Sequence, residues 1–219
     1  MKTTSKSDAT RARIFHAAMD LFRRQGFDAT TMREIAAAAD VAGGAAYYYF
    51  DSKDAIVLAF YDQARQEMEP LLEQALATGK DLRRRLLALL HVKFAYFAPN
   101  RSLLGTLSAY TNPEHPLSPF SEATREIREK DIAFFERALE GGRVRIPEDL
   151  RPQLPRLLWM YQMGLILFWI YDRSPEQRRT QVLVDKSLVL VVRLIRLSSF
   201  PLLSPLRRTV VELLRGVAE

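Results

Sequence analysis

Helical periodicity is the feature of this chain that most restricts its fold. Ile14, Ala18 and Phe22 follow the i, i+4, i+8 spacing of one helix face, and Gly26 stands where such a helix ends. After Ala55, longer amphipathic segments are separated by breaks that contain proline or glycine, such as TNPEHPLSP and DRSPEQ. No segment of the sequence alternates apolar and polar residues for long between turn signals. The pattern predicts an all-α fold.

Short helices come first in the chain. Thr31 and Glu34 have the spacing of a capping box, in which each side chain satisfies a free backbone donor at the start of the second helix. The stretch AGGAAYYYF predicts a third short helix, and Asp51 or Ser52 then caps a long fourth helix. Three short helices at the N-terminus indicate a compact head.

The change from short to long helices sets the predicted domain boundary. We predict a head with a basic N-terminal tail over residues 1–52 and a larger bundle of six or seven helices over residues 53–219. The first helix of that bundle is predicted to extend to about Ala77. Because proline lacks a backbone donor, Pro70 is expected to kink or split this helix.

Composition excludes several kinds of chemistry. Among its 219 residues the chain has no cysteine, which excludes thiolate metal sites and thiol nucleophiles, and its three histidines lack metal-ligand spacing. We find no nucleophile paired with a base, no paired carboxylates in a plausible pocket and no phosphate loop, so we expect no enzyme, no metal and no cofactor. The net charge of +6 favours an acidic partner such as nucleic acid.

The sequence also bears on location. Its start, MKTTSKSDATRAR, lacks the apolar core of a signal peptide. The longest uncharged stretch, LLWMYQMGLILFWIY, is short for a membrane span and contains Gln162. We therefore expect a cytoplasmic protein that does not interact with a membrane.

The segment from Thr10 to Phe60 resembles, almost position for position, the DNA-binding head of the tetracycline-repressor (TetR) family. The rest of the chain matches that family in length and helical character. The residues that carry the resemblance are Gly26, Phe27, Thr31, Ile35, Ala36, Val41, Gly44, Tyr47, Phe50 and Lys53.

The resemblance implies a helix-turn-helix with distinct contacts to phosphates and to bases. Thr31 lies where free N–H groups at a helix start suit a phosphate, and Arg33, in the first turn of that helix, is expected to reach a guanine edge. Tyr47 and Lys53 match phosphate-binding positions of the family. The structural alternatives are a simple capping threonine and a solvated surface arginine.

The third helix, which is the recognition helix by resemblance, departs from the family pattern at Ala42, Gly43 and Ala45. Many relatives carry a serine cap and a polar or basic side chain there. Small residues let the helix backbone approach the DNA closely, and Tyr48 and Tyr49 would then supply most of the side-chain contact. The alternative is that adjacent glycines merely weaken the helix, at a cost of about 1 kcal/mol each relative to alanine.

Apolar side chains in the middle helices are candidates for a ligand pocket. Such a pocket would suit a small hydrophobic or aromatic ligand, but the same side chains also fit an ordinary core. We expect His91, Tyr110 or Gln162 to orient the ligand, and Glu129–Asp131 to form a solvated helix face. The candidate ligand-binding residues are His91, Phe94, Leu107, Tyr110, Phe134, Trp159 and Met163.

The last helices predict a contact between two copies of the chain. LLWMYQMGLILFWIY is apolar on nearly every face, and VLVDKSLVLVVRLIRL carries an apolar stripe. In the TetR family two such helices from each subunit form the core of the dimer. The predicted interface residues are Gly164, Val184, Leu188, Val191 and Ile195.

Together these features predict a ligand-responsive, dimeric transcriptional regulator. We expect a repressor that binds an inverted-repeat operator in double-stranded DNA and is released by a small hydrophobic or aromatic effector. One alternative is a DNA-binding architectural protein without a ligand, and another is a helical lipid-binding protein or enzyme. A mobility shift on operator DNA and ligand-induced release would separate these functions.

Overall fold

The computed structural model describes the backbone of residues 6–218 and the side chains of residues 6–213. Within that range the chain forms ten α-helices and three short 3₁₀ turns, and it contains no β-strand. The prediction of an all-α fold is therefore confirmed. The helices are α1 Lys6–Gln25, α2 Met32–Ala38, α3 Gly43–Tyr49, α4 Lys53–Thr78, α5 Leu82–Phe97, α6 Arg101–Leu107, α7 Arg125–Glu140, α8 Leu154–Tyr171, α9 Arg178–Leu197 and α10 Ser204–Ala218.

Local chemistry sets the limits of the short helices. Helix α1 is followed by Gly26, whose φ of 91° is a left-handed conformation that glycine adopts without strain. The capping box at the start of α2 is present: Glu34 N donates to Thr31 Oγ1, and Thr31 N donates to the Glu34 carboxylate. Asp40, also at positive φ, lies in the turn between α2 and α3. These short-range signals position the two helices of the helix-turn-helix.

Helix α4 remains continuous through Pro70, so this proline does not split the helix, while the alternative that it kinks the helix stays a prediction. Its start is capped by Ser52, whose Oγ accepts a hydrogen bond from Ala55 N at 3.1 Å. Met68 and Leu72 are buried on either side of the proline. The packing of these neighbours outweighs the single backbone hydrogen bond that proline removes.

The described residues form two compact units, and the chain passes between them more than once. The first unit contains the described residues up to Arg65 together with Ala98–Ile127; the second contains Gln66–Phe97 and the described residues from Arg128 onward. This division differs from the predicted boundary between residues 52 and 53, because the segment around α6 returns to the first unit.

The core of the first unit joins α6 to the head. Ile14, Phe22 and Ile35 are buried where α1 packs against α2. Helix α6 packs on α1, and Asn100, which precedes α6, accepts a hydrogen bond from Arg23 Nε at 2.9 Å. The helix-turn-helix therefore rests on a segment that lies far from it in the sequence.

The core of the second unit forms where α5, α8 and α9 meet. Leu90, Leu165 and Val184 pack together there, one from each helix. Asp172 caps the start of α9: its carboxylate accepts hydrogen bonds from the backbone and hydroxyl groups of Ser174 and Thr180. Burial alone would raise the pKa of Asp172, but these four hydrogen bonds lower it below its usual range.

Candidate nucleic-acid interface and the polar core of the second unit

The outer face of the head is formed by α3 and by the first turn of α2. Arg33 and Gly43 are exposed, and the side chains of Tyr47 and Tyr48 expose 57% and 83% of their surface. Ala46, on the opposite side of α3, is completely buried and anchors this helix to the head. Two neighbouring tyrosines that face solvent form an aromatic, hydrogen-bonding surface of the kind that suits nucleic acid.

The glycines of α3 face open space. A Cβ atom added at Gly43 or Gly44 would meet no atom within 4 Å. Neither glycine has the positive φ that would require the residue type. Neither internal packing nor backbone conformation therefore requires glycine at these two positions.

Thr31 is already fully engaged in its capping box. Both its N–H and its hydroxyl donate to Glu34 Oε2, at 2.8 Å each. These hydrogen bonds lower the pKa of Glu34, with the Thr31 hydroxyl as the main cause. A phosphate bound by the Thr31 hydroxyl and N–H would have to displace the Glu34 carboxylate, so the capping role is observed and the phosphate contact stays a prediction.

Lys53 binds the loop between α1 and α2. Its Nζ donates to Phe27 O at 2.6 Å and lies 4.5 Å from the centre of the Phe27 ring. A second, longer hydrogen bond of 3.4 Å reaches Asp28 O. Since an ammonium group has three donors, one remains for a phosphate. The sequence did not indicate this structural role for Lys53.

The remaining predicted contacts of α3 are less exposed. Tyr49 is half-buried, its ring lies edge-on to Tyr48, and its hydroxyl accepts a 3.5 Å hydrogen bond from Ser7 Oγ. Ala45 is also half-buried. Of the predicted DNA-binding residues, those that are exposed are Thr31, Arg33, Gly43, Tyr47 and Tyr48.

Two of the candidate ligand-binding residues, Leu107 and Tyr110, belong to the first unit. Tyr110 stacks on His115, with ring centres 4.1 Å apart, and lies edge-on to Phe27 at 6.4 Å. Burial and the nearby carboxylates of Asp28 and Asp54 raise the pKa of Tyr110. Leu107 is buried. The structure thus places Tyr110 against the α1–α2 loop that also holds Lys53.

The other candidates lie in the second unit, in different environments. Phe134 and Trp159 are buried, and Met163 is half-buried. Phe94 packs against the core of this unit, with its ring centre 5.4 Å from that of Trp169. His91 is exposed, because α5 turns this position to solvent.

The second unit does bury polar residues, and one of them is Lys93, which neighbours Phe94 in the sequence. The side chain of Lys93 is 5% exposed and forms an ion pair with Asp131. Asp131 also accepts a hydrogen bond from Gln162 Nε2 at 3.0 Å. The prediction that Glu129–Asp131 is only a solvated helix face is therefore wrong for Asp131. In the sequence, the feature that indicates these contacts is Lys93 itself, a charged residue within the apolar pattern of α5.

An open groove of about 550 Å³ lies elsewhere in the second unit, between α4 and α5. Tyr96 lines it, and its hydroxyl donates to Glu67 at 2.6 Å. None of the candidate ligand-binding residues lines this groove. Its lining residues are Leu71, Gln74, Ala75, Thr78, Val92, Ala95 and Tyr96.

The predicted dimer residues divide into buried and accessible ones. Val184, Leu188 and Ile195 are 5% exposed or less, because the face of α9 that carries them covers the core of its own unit. Val191 is half-buried and Gly164 is exposed, with nothing within 4 Å of its added Cβ. Val184, Leu188 and Ile195 are therefore not accessible to a second copy, and the location of the dimer interface stays a prediction.

The described part of the chain offers no cluster of metal ligands and no single membrane-spanning helix. No group of three or more histidine, aspartate or glutamate residues there could hold a metal ion. No single helix among the described residues is long and apolar enough to cross a membrane. The segments 175–197 and 201–213, which are bent by 96° relative to each other, reach the length and apolar composition of a membrane span only when they are counted together.

An exposed helix-turn-helix in an all-helical chain is typical of DNA-binding regulators. Comparison with known families shows which family of regulators this chain matches. Residues 14–60 match the family described as "Bacterial regulatory proteins, tetR family", and residues 85–213 match "Tetracyclin repressor-like, C-terminal domain". The chain belongs to the TetR family. It is a ligand-responsive transcriptional repressor, and the architectural and lipid-binding alternatives are not favoured.

Individual relatives agree with this assignment. The chain is 26% identical over 150 residues to the transcriptional repressor KstR2 of Rhodococcus jostii, covering 67% of this chain and 74% of that protein. It is 28% identical to Thermus thermophilus FadR, a repressor solved with lauroyl-CoA, with a TM-score of 0.58 over 82% of this chain and 93% of that one. Salmonella enterica GusR shares the fold, with a TM-score of 0.65 at 18% identity, over 87% of this chain and 97% of GusR.

Proposed function

We propose that this repressor binds an inverted-repeat operator as a homodimer and leaves it when a small hydrophobic molecule binds the second unit. The exposed surface of α3, with Tyr47 and Tyr48, is the observation that carries the DNA-binding part. The net charge of +6 is consistent with a polyanionic partner.

The DNA contacts divide by chemistry. Arg33, exposed in the first turn of α2, has the guanidinium geometry to hold guanine O6 and N7 together. Tyr47 and the remaining donor of Lys53 are suited to phosphates. Gly43 allows the backbone of α3 to approach the groove, while Tyr48 supplies van der Waals and hydrogen-bond contact.

The dimer contact is proposed for the exposed faces of α8 and α9. On α8 the exposed residues follow helical spacing around Gly164, which allows close approach of two backbones. The exposed apolar residues of α9 also recur at helical spacing. Apolar side chains that remain exposed in regular rows mark a surface that is covered in the working protein. These residues are Met160, Leu167, Phe168 and Tyr171 on α8, and Val182, Leu190, Leu194 and Leu197 on α9.

The effector is proposed to be largely apolar. The Thermus thermophilus relative was solved with lauroyl-CoA, whose acyl chain is apolar. In this chain the candidate region contains Phe94, Phe134, Trp159 and Met163 from α5, α7 and α8. Side chains of this kind favour an aliphatic or aromatic ligand over a sugar.

Selection of DNA fragments from a random double-stranded library tests the proposal. Purified protein should enrich inverted repeats whose half-site centres lie about 34–36 Å apart, or a multiple of that distance. Tyr48→Ala should weaken binding to the selected DNA, whereas Leu202→Ala, at a residue of the second unit that is 91% exposed, should not. Lauroyl-CoA is then added as a probe and should release the DNA. Enrichment of direct repeats or of no sequence would overturn the operator model.

A further inference from the structure

Three helices of the second unit bring one charged pair and one amide together. Lys93 on α5 is 4% exposed and forms an ion pair with Asp131 on α7. Gln162 on α8 is 1% exposed, and its Nε2 donates to Asp131 Oδ2 at 3.0 Å. The cluster formed by these three residues is named the polar cluster below.

The hydrogen bond to Asp131 fixes the orientation of the Gln162 amide. An ionised carboxylate only accepts hydrogen bonds, so the NH₂ end of the amide must face Asp131. The opposite end, Gln162 Oε1, is buried and has no hydrogen-bond partner among the residues that the structure describes. Leaving a buried acceptor unsatisfied costs free energy, so we expect this oxygen to accept a hydrogen bond from a bound group.

The surroundings of Gln162 are apolar. Trp159 and Leu165, three residues before and after it on α8, are buried on the same side of the helix. Leu165 packs in the core with Leu90, and Phe94, next to Lys93 in the chain, packs against that core. The polar cluster therefore lies within the region that supplies the candidate ligand-binding side chains.

The charges of the polar cluster cancel. Lys93 and Asp131 neutralise each other, so the cluster offers no net positive charge to an anionic group. Gln162 Oε1 is an acceptor and would repel a carboxylate, which at neutral pH has only acceptors. The group that satisfies this oxygen is a neutral hydroxyl or an N–H.

We propose that Gln162 Oε1 is the polar anchor of the effector site, and that the effector is an apolar molecule with a neutral hydrogen-bond donor such as a hydroxyl or an amide N–H. Lys93 and Asp131 are positioning residues, because they hold the amide in the orientation that presents this oxygen. The inference rests on the proposed regulation by a small hydrophobic molecule and narrows its chemical class.

The test compares two isomeric probes. Decan-1-ol has an O–H donor, whereas methyl nonyl ether has the same atoms and an oxygen that only accepts. Binding is followed by the fluorescence of Trp159 and Trp169, the chain's two tryptophans. Decan-1-ol should bind about tenfold more tightly than the ether, as expected for one buried acceptor that is satisfied or left bare. Decanoate should bind more weakly than the alcohol.

A variant of Gln162 tests whether its amide causes the preference for the alcohol over the ether. Gln162→Met removes the acceptor with little change of volume, and the alcohol and ether should then bind within about twofold of each other. Gln181→Met, at an exposed position of α9, is the matched control and should keep the tenfold ratio. Circular dichroism with thermal melting checks that each variant folds. If Gln162→Met does not fold, the ratio of alcohol to ether binding by the wild-type protein still tests the proposal.

Equal binding of the alcohol and ether to wild-type protein overturns the inference, and this is the outcome expected if a bound water satisfies Gln162 Oε1. An absence of binding by both probes, or an unchanged ratio in Gln162→Met, overturns it as well. The proposed function has a separate readout, because operator selection and release by lauroyl-CoA do not depend on the ratio between the isomers.

Discussion

The two units of this protein place their distinctive side chains in opposite environments. The first unit packs an apolar core and exposes Arg33, Tyr47 and Tyr48 on α2 and α3. The second unit exposes apolar rows on α8 and α9 and buries a charged pair, Lys93 with Asp131. Because an exposed polar group costs little to keep, contacts on the head are free to serve an outside partner. The charges of the buried pair must compensate each other inside the fold, so changing either residue should affect the stability of the second unit.

The largest effect should come from charge placed on the wrong face of α9. Leu188→Arg puts a cation where the native side chain is completely buried and should destabilise the second unit by about 4 kcal/mol or more. Leu194→Arg, where 57% of the residue is exposed, should leave the chain folded and produce monomers that lose the operator. Urea unfolding and sedimentation measure the two effects. A monomeric wild type, or a Leu194→Arg dimer, would contradict the proposed interface.

Breaking the buried pair should have the next largest effect. Lys93→Met leaves Asp131 without its cation and should reduce the free energy of unfolding by about 3 kcal/mol. The double variant Lys93→Met with Asp131→Leu should recover much of that loss, because no uncompensated charge remains. Lys80→Met, at an exposed position before α5, serves as the control. If the single and double variants unfold alike in urea, the pair is not coupled.

The exposed arginine of the head should affect DNA binding and leave stability unchanged. Arg33→Ala should cost about 1 to 3 kcal/mol on the selected operator and relax the preference at one base pair per half-site. Fluorescence anisotropy on the operator and on single-base variants measures both quantities. Equal losses on every sequence would show that Arg33 contacts only phosphate.

Lys53 should contribute both to the stability of the head and to DNA binding, because it contacts the α1–α2 loop and is proposed to contact a phosphate. Lys53→Ala removes the hydrogen bond to Phe27 O and should lower the free energy of unfolding by about 1.5 kcal/mol. It should also make the slope of log K against log salt shallower by about one unit. A lower stability with an unchanged slope would assign Lys53 to the α1–α2 loop alone.

The smallest effect is expected at Gly44. Gly44→Ala meets open space in the free protein and should stabilise α3 by up to about 1 kcal/mol. If the helix backbone lies close to the DNA, the added methyl group should nevertheless weaken operator binding. Thermal melting and anisotropy on the same sample measure the two effects. Stronger DNA binding by the alanine variant would show that the glycines only loosen the helix.

The head could be read from the sequence because its signals are local. The capping box joins Thr31 and Glu34, which are three positions apart, and Gly26 ends α1 through its own backbone conformation. The resemblance to the TetR family adds positions at fixed spacings to these signals. The hydrogen bond from Lys53 to Phe27 O joins residues 26 positions apart, and no local pattern indicates it.

The second unit shows what the sequence could not decide. Periodicity identified α8 and α9 as helices that must be covered, but it does not tell which apolar face covers the chain's own core and which remains for a second copy. Leu188 became core and Leu194 surface only through the packing of α9 on α5 and α8. The all-α class, the caps of α2 and α4 and the resemblance to the TetR family followed from local sequence patterns. Only the tertiary structure brought Lys93, Asp131 and Gln162 together, because burial and pairing across three helices depend on how those helices pack.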